Sequence, residues 1–176
     1  MKIQMPKGAC DTHMHFYDTK FPGAPGTFLP GNFTVPQYRE LQKKLGLERV
    51  IVVQPNAYAD DNTVTVNAMK ELGKGAKGVA VVKPDVKEAE LERLTKAGIC
   101  AVRIMTLHGA MLGFDVMDAV MKRVHPHGWH PNIQLEAAIC RSTRRRSSAC
   151  PASSSSTTPA SSSSRWRRTM RRFAAC

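Results

Sequence analysis

Between Gly8 and Glu136, short apolar runs alternate with helix-length segments, a rhythm that few folds accommodate. Gly8 to Phe16 (GACDTHMHF) reads as a first strand and leads into a Pro/Gly-rich loop from Phe21 to Pro30. Val35 to Leu45 reads as a helix. Thr34 can cap it, Pro36 suits its first turn, Tyr38, Leu41 and Leu45 share helical spacing, and Gly46 ends it. Arg49 to Gln54 (RVIVVQ) is a β-branched run typical of a strand buried on both faces. The pattern then repeats: helix Asn62–Leu72, strand Gly78–Val82, helix Lys87–Ala97 behind Asp85 as its cap, strand Cys100–Ile104, helix Asp115–Val124 and strand Asn132–Leu135. Such alternation means βα units on a parallel sheet. Doubly wound sheets and (β/α)8 barrels share it, but no Gly-rich phosphate loop follows the first strand, which weakens the nucleotide-binding option. The expected fold class is α/β, the N-terminal half of a (β/α)8 TIM barrel, because a full barrel takes roughly 250 residues.

After Glu136 the composition breaks. Residues 1–140 contain no Ser, whereas residues 141–176 contain eleven Ser and nine Arg, with no Leu, Ile, Val, Gly, Asn, Gln, Asp, Glu or Lys. The net charge of +12 therefore divides into +9 for this tail and +3 for the rest, the latter ordinary for an enzyme. PASSSS occurs twice, at Pro151–Ser156 and Pro159–Ser164. The expected organisation is a partial barrel over 1–136 and a low-complexity basic tail over 137–176 that has nothing with which to bury an apolar face.

A one-base slip in the coding DNA accounts for that tail. Ser read as TCx becomes xTC, which encodes Phe, Leu, Ile or Val, and Ser read as AGx becomes xAG, which offers Gln, Lys or Glu; Thr becomes xAC, which offers Asp, His, Asn or Tyr. Applied from Cys150, PASSSSTTPASSSS permits CQFVIDHTGKFLE, an apolar strand with Asp-His falling where Thr157 and Thr158 stand. The alternative is a genuine segment whose arginines, with Trp166 and Phe173, bind nucleic acid through phosphates. A charge run is usually solvated, so nucleic acid is not the expected partner.

Asp11-Thr12-His13-Met14-His15 carries the sharpest chemical signal. On a strand, residues i and i+2 point to one side, so both imidazoles face one cavity. Such a pair can hold a divalent metal, or bind and polarise a carbonyl; two ligands alone do not close a metal site. Gln54, Asn56 and Tyr58 follow the second strand as candidate substrate-binding groups. Arg103 interrupts the apolar run CAVRIM, where a lone cation meets either a structural carboxylate or an anionic substrate; substrate is the favoured reading. His108, His125, His127 and His130 stand in loop or turn contexts that suit surface or capping roles, and Lys83 reads as solvated. Of five cysteines without paired spacing, Cys10 and Cys100 fall in strand-like runs and read as buried thiols. No window reaches the length of a signal peptide's apolar region or a membrane span, so a cytoplasmic protein without a membrane partner is expected.

PKGACDTHMHFYD, LGLERVIVVQPNAYADDN, GVAVV, AGICAVRIM and HGWHPNIQLE together resemble the amidohydrolase superfamily over about residues 6–136. The resemblance is to the branch of 2-pyrone-4,6-dicarboxylate lactonases and D-galactarolactone isomerases, the isomerase type sharing the opening motif best. It implies a (β/α)8 barrel acting on carboxylated lactones, of sugar acids or of pyrones, by hydrolysis or isomerisation. His13 and His15 match the first-strand His-x-His, and Arg103 matches a fourth-strand position suited to a substrate carboxylate. In most of the superfamily the histidine pair binds a metal; in this branch histidines and arginines can contact substrate directly. No cofactor is therefore expected. A divalent zinc or manganese on His13 and His15 is the alternative, and would make the protein a metal-dependent amidohydrolase or decarboxylase. The family also uses a His after strand five or six and an Asp closing strand eight, the expected general base. Neither has a counterpart here, so the chain reads as a fragment of a lactone hydrolase or isomerase.

Overall fold

The structure, a computed structural model, describes residues 5–106 and 111–134; His108 and the whole 137–176 tail lie outside them. The described chain runs β1 (Cys10–Met14), α1 (Val35–Leu45), β2 (Arg49–Val53), α2 (Thr63–Leu72), β3 (Ala76–Ala80), α3 (Glu88–Lys96), β4 (Ile99–Met105), α4 (Phe114–Val124) and β5 (His130–Gln134). Single 3-10 turns sit at Asn56–Tyr58, Gly73–Gly75 and His125–His127. All neighbouring strands are parallel and follow chain order, β1-β2-β3-β4-β5. That is the order of barrel staves, without the reversal that defines a doubly wound sheet. No helix of the described residues is long and apolar enough to cross a membrane.

Strand alternation separates two apolar layers. Val50 and Val52 join Met69, Leu91, Leu94, Val120 and Val124 in the main core beneath the helices. Val53, Val79 and Ala101, with Ile51 against them, form a second cluster. The register places Val53 opposite Val79 and Val79 opposite Ala101, so these residues make one row across the sheet. Arg103 lies two residues beyond Ala101 and shares its face.

Helix ends follow local chemistry, with two departures from expectation. The Gln37 side chain reaches back to accept the Thr34 N–H at 2.8 Å, and Gly46 closes α1 with φ 71°, a left-handed conformation that glycine adopts without penalty. Asp85 does not cap α3, whose N-cap is Lys87; it lies instead inside a turn closed by the Val86 N–H on Lys83 O. Asn62 is the N-cap residue of α2 but spends its amide elsewhere. Its Nδ2 donates to Val81 O at 2.8 Å, and its Oδ1 accepts the Val81 N–H at 3.0 Å, prolonging β3 by a side-chain mimic of a strand. Strand β3 starts at Ala76, before the expected Gly78, because exposed Lys77 conceals its beginning in the sequence. Leu41 and Leu45 of α1 are about half exposed, at 46% and 45%. Among the described residues α1 packs on an outer strand and has only α2 beside it.

Gly78 marks the closest approach of helix to sheet. A Cβ there would stand 2.5 Å from Ile99 Cδ1 and closer still to Met69 Sδ, both on buried side chains that would have to shift. Gly78→Ala is expected to destabilise the fold by about 1–3 kcal/mol, the usual range for overpacking. Urea denaturation followed by circular dichroism measures this, and a second change, Met69→Ala, should recover part of the loss.

Candidate functional site

The first strand is irregular where its chemistry begins. Asp11 pairs with Val50 and Met14 with Val52, so three steps on β1 oppose two on β2 and a bulge falls at Thr12–His13. The Asp11 carboxylate fixes this bulge: Oδ1 accepts the His13 N–H at 3.1 Å and Oδ2 accepts the Tyr38 hydroxyl at 3.1 Å. Burial, and then the Asp11 charge beside it, push the Tyr38 phenol well up, so it remains a donor.

The bulge brings the two imidazoles together as their spacing predicts. Their rings meet edge to face with centroids 4.8 Å apart, and the two Nε2 atoms are 3.2 Å apart. His15 Nδ1 lies 2.7 Å from Val53 O. A carbonyl only accepts, so Nδ1 carries the hydrogen and His15 Nε2 is the lone-pair nitrogen; His13 Nε2 is then the donor within the pair. Burial first, then the Arg103 charge, lower the pKa of His13; for His15 burial is also the largest cause, opposed by the Val53 hydrogen bond. Both imidazoles are accordingly neutral near pH 7.

Arg103 supplies the charge of the site from β4, with only 6% of its surface exposed. Its NH1 donates to Gln54 O at 2.8 Å and more distantly to Asn56 Oδ1 at 3.5 Å, and its NH2 donates to Gln134 Oε1 at 2.8 Å. All three acceptors are neutral. Its Nε is buried with no partner. Burial pulls the guanidinium below its ordinary value, but arginine keeps its charge in proteins. Among the described residues no carboxylate pairs with it.

Other expected residues divide sharply. Asn56 reaches Arg103, as does the backbone carbonyl of Gln54. The Gln54 side chain does not belong to the site: it is fully buried, its Nε2 donating to Ala59 O and Asp61 O and its Oε1 accepting the Thr65 hydroxyl. Tyr58 is likewise committed, its hydroxyl donating to Asp18 O at 3.0 Å and accepting the Asp18 N–H at 2.9 Å. Both hold the loops around the site, and nothing is left on either side chain for a substrate. Lys83 is exposed and paired with Asp60 at 2.9 Å, and His127 bonds Glu88 at 2.7 Å, as surface roles require. His130 differs from its expected turn context, since it opens β5 half-buried opposite Ala101. Cys10 and Cys100 are half-buried rather than buried.

Two site residues escaped the sequence reading. Gln134 was an unremarked polar residue at the end of an apolar strand. Tyr17 continues the 13, 15, 17 spacing and could have been found by it. Its ring stands 6.3 Å from that of His15 and 6.3 Å from that of Tyr58.

A metal requires three or more protein donors in such a site. Among the described residues no group of three His, Cys, Asp or Glu converges, and the Arg103 cation beside the imidazoles opposes a dication.

Comparison with known proteins identifies the family and the fold. The amidohydrolase family profile matches residues 10–173. The chain is 37% identical over 134 residues to D-galactarolactone isomerase of Agrobacterium fabrum, covering 74% of this chain and 46% of that protein. It is 34% identical over 142 residues to 2-pyrone-4,6-dicarboxylate hydrolase of Comamonas testosteroni, covering 77% and 46%. An apo crystal structure from Agrobacterium tumefaciens superposes with a TM-score of 0.71 at 34% identity, over 83% of this chain and 54% of that one. The chain thus spans about half the length of the relatives it matches.

Two measurements follow from the site's wiring. Imidazole proton NMR should show His13 and His15 titrating below the ordinary 6.5. A base with a lowered folded pKa contributes stability that is complete above the unfolded value and lost as pH falls through the folded one, so Tm should drop on acidification below about pH 6.5. Gln54→Leu should cost about 1–3 kcal/mol for each polar partner left unsatisfied, seen in chemical denaturation. Ligand affinity measured on the surviving folded fraction should be nearly unchanged.

Proposed function

Because this chain belongs to the amidohydrolase family, we propose that its site recognises a carboxylated lactone and that the intact enzyme hydrolyses or isomerises it. The observation that carries this reading is Arg103, a buried cation whose partners among the described residues are all neutral and whose charge reaches both histidines. A buried guanidinium without a carboxylate gains most from an anion supplied by a ligand. Beside it, His13 Nε2–H is a neutral donor able to turn from His15 to a lactone carbonyl oxygen, polarising it for attack. The relatives named above act on a galactarolactone and a pyrone dicarboxylate, so a small anionic ester fits their chemistry as well as this geometry.

In this reading the imidazoles touch substrate directly, and neither zinc nor manganese takes part. The Asp11 carboxylate is engaged by Tyr38 and by the His13 backbone, so it is not the base that activates water or moves a proton. We assign that base to a residue outside the described segment. The proposal also takes the 137–176 tail as out of frame, which resequencing the codons of residues 133–176 tests directly; a correct frame there ends that part of it.

Binding is the discriminating experiment. Titration calorimetry of the purified chain with 2-pyrone-4,6-dicarboxylate should give a saturable, chelator-insensitive heat. Arg103→Met should weaken it roughly ten- to hundredfold, as removal of a hydrogen bond to a charged group does. Equal affinity in Arg103→Met, or affinity that depends on added zinc or manganese, would sink this assignment.

A further inference from the structure

The chain has three tyrosines, and the structure uses two of them internally. Tyr38 gives its hydroxyl to Asp11, and Tyr58 gives its own to the Asp18 backbone. Tyr17 differs: among the described residues no hydrogen bond engages its hydroxyl. Yet the residue is rigidly placed. Its N–H donates to Phe33 O at 3.0 Å and its carbonyl accepts the Phe33 N–H at 2.9 Å, an antiparallel bridge that ties the end of β1 to the loop before α1. Three rings pack around its own, those of His15, Phe33 and Tyr58, with centroids 6.0–6.3 Å away. A half-buried phenol fixed on all sides, with its one polar atom unspent, is built to meet something outside the fold.

Position says what that is. Tyr17 continues the side of the chain that presents His13 and His15, and its ring lies against that of His15. We propose that the Tyr17 hydroxyl is a substrate-contacting donor that shares a carboxylate of the ligand with the Arg103 guanidinium. The inference rests on the lactone reading above and deepens it, by naming the second group that selects an anionic substrate. Among the described residues Arg103 is bonded to neutral acceptors, so the anion has a cation to meet. The Arg103 charge also reaches Tyr17, where it opposes the upward push of burial on the phenol. A neutral phenol beside a cation is a strong donor to a carboxylate and does not repel it.

Tyr17→Phe keeps the ring and its packing and removes only the hydroxyl. With 2-pyrone-4,6-dicarboxylate as the probe, calorimetry on the full chain should show affinity falling about tenfold, with Tm unchanged. A second readout does not depend on the variant. With 3-fluorotyrosine incorporated, the protein gives one fluorine resonance per tyrosine, and the Tyr17 signal should move most as ligand is added. If Tyr17→Phe binds as the wild type does while Arg103→Met weakens binding, Tyr17 has no such role and the lactone reading stands. If the Tyr17 resonance stays still through saturation, the proposal is likewise overturned. If the wild type binds no lactone, the lactone reading fails and the role of Tyr17 falls with it.

Discussion

A guanidinium withdrawn from water and held, among the described residues, by neutral acceptors is costly, and the C-terminal edge of this sheet is arranged around one. Arg103 projects from β4 and is held by a backbone carbonyl after β2, an amide on the turn that follows, and the side chain of Gln134 on β5. These contacts tie three strand ends together through one charge. They also set the electrostatics of the neighbourhood, because the same cation bears on His13, His15 and Tyr17. Neutral acceptors orient the group without neutralising it, which leaves its charge directed at whatever enters.

Around that charge, much of the polar chemistry is structural. Gln54, Asn62 and Tyr58 are polar residues at strand ends, where barrel enzymes place their working groups. Each is buried and each closes loop backbone that would otherwise lack partners. The loops must turn sharply within a few residues of the parallel strands, and side-chain amides and hydroxyls replace the missing ladder bonds. The Asp11–Tyr38 pair serves the same end at the β1 bulge, aiming His13 from the far side.

The βα rhythm of residues 8–134 was legible because parallel strands buried on both faces are continuous apolar runs, and glycines punctuate the helices. Element boundaries slipped by about two residues at several ends, as at β3, where Lys77 conceals the start, and at β5, which opens at His130 instead of Asn132. The pairing of His13 with His15 was legible too, since a spacing of two survives even a bulge. The tail was legible only as composition. What the pattern did not reveal was which polar side chains are already spent. Gln54 and Asn56 look alike in sequence, yet one lies sealed among backbone carbonyls and the other faces Arg103.

The sequence by itself determined a parallel α/β sheet, its order of elements, membership of the amidohydrolase family and the histidine pair at the first strand. Those properties depend on local periodicity and on residues two positions apart, which chain geometry fixes directly. Only the tertiary structure decided that, among the described residues, Arg103 has neutral partners, Gln54 and Tyr58 are consumed by loops, and the Tyr17 hydroxyl is left without a hydrogen bond. For Arg103 and Tyr58 the deciding partners stand 31 to 49 positions away in the chain, and for Gln54 they stand 5 to 11 away in a loop whose course the periodicity does not fix.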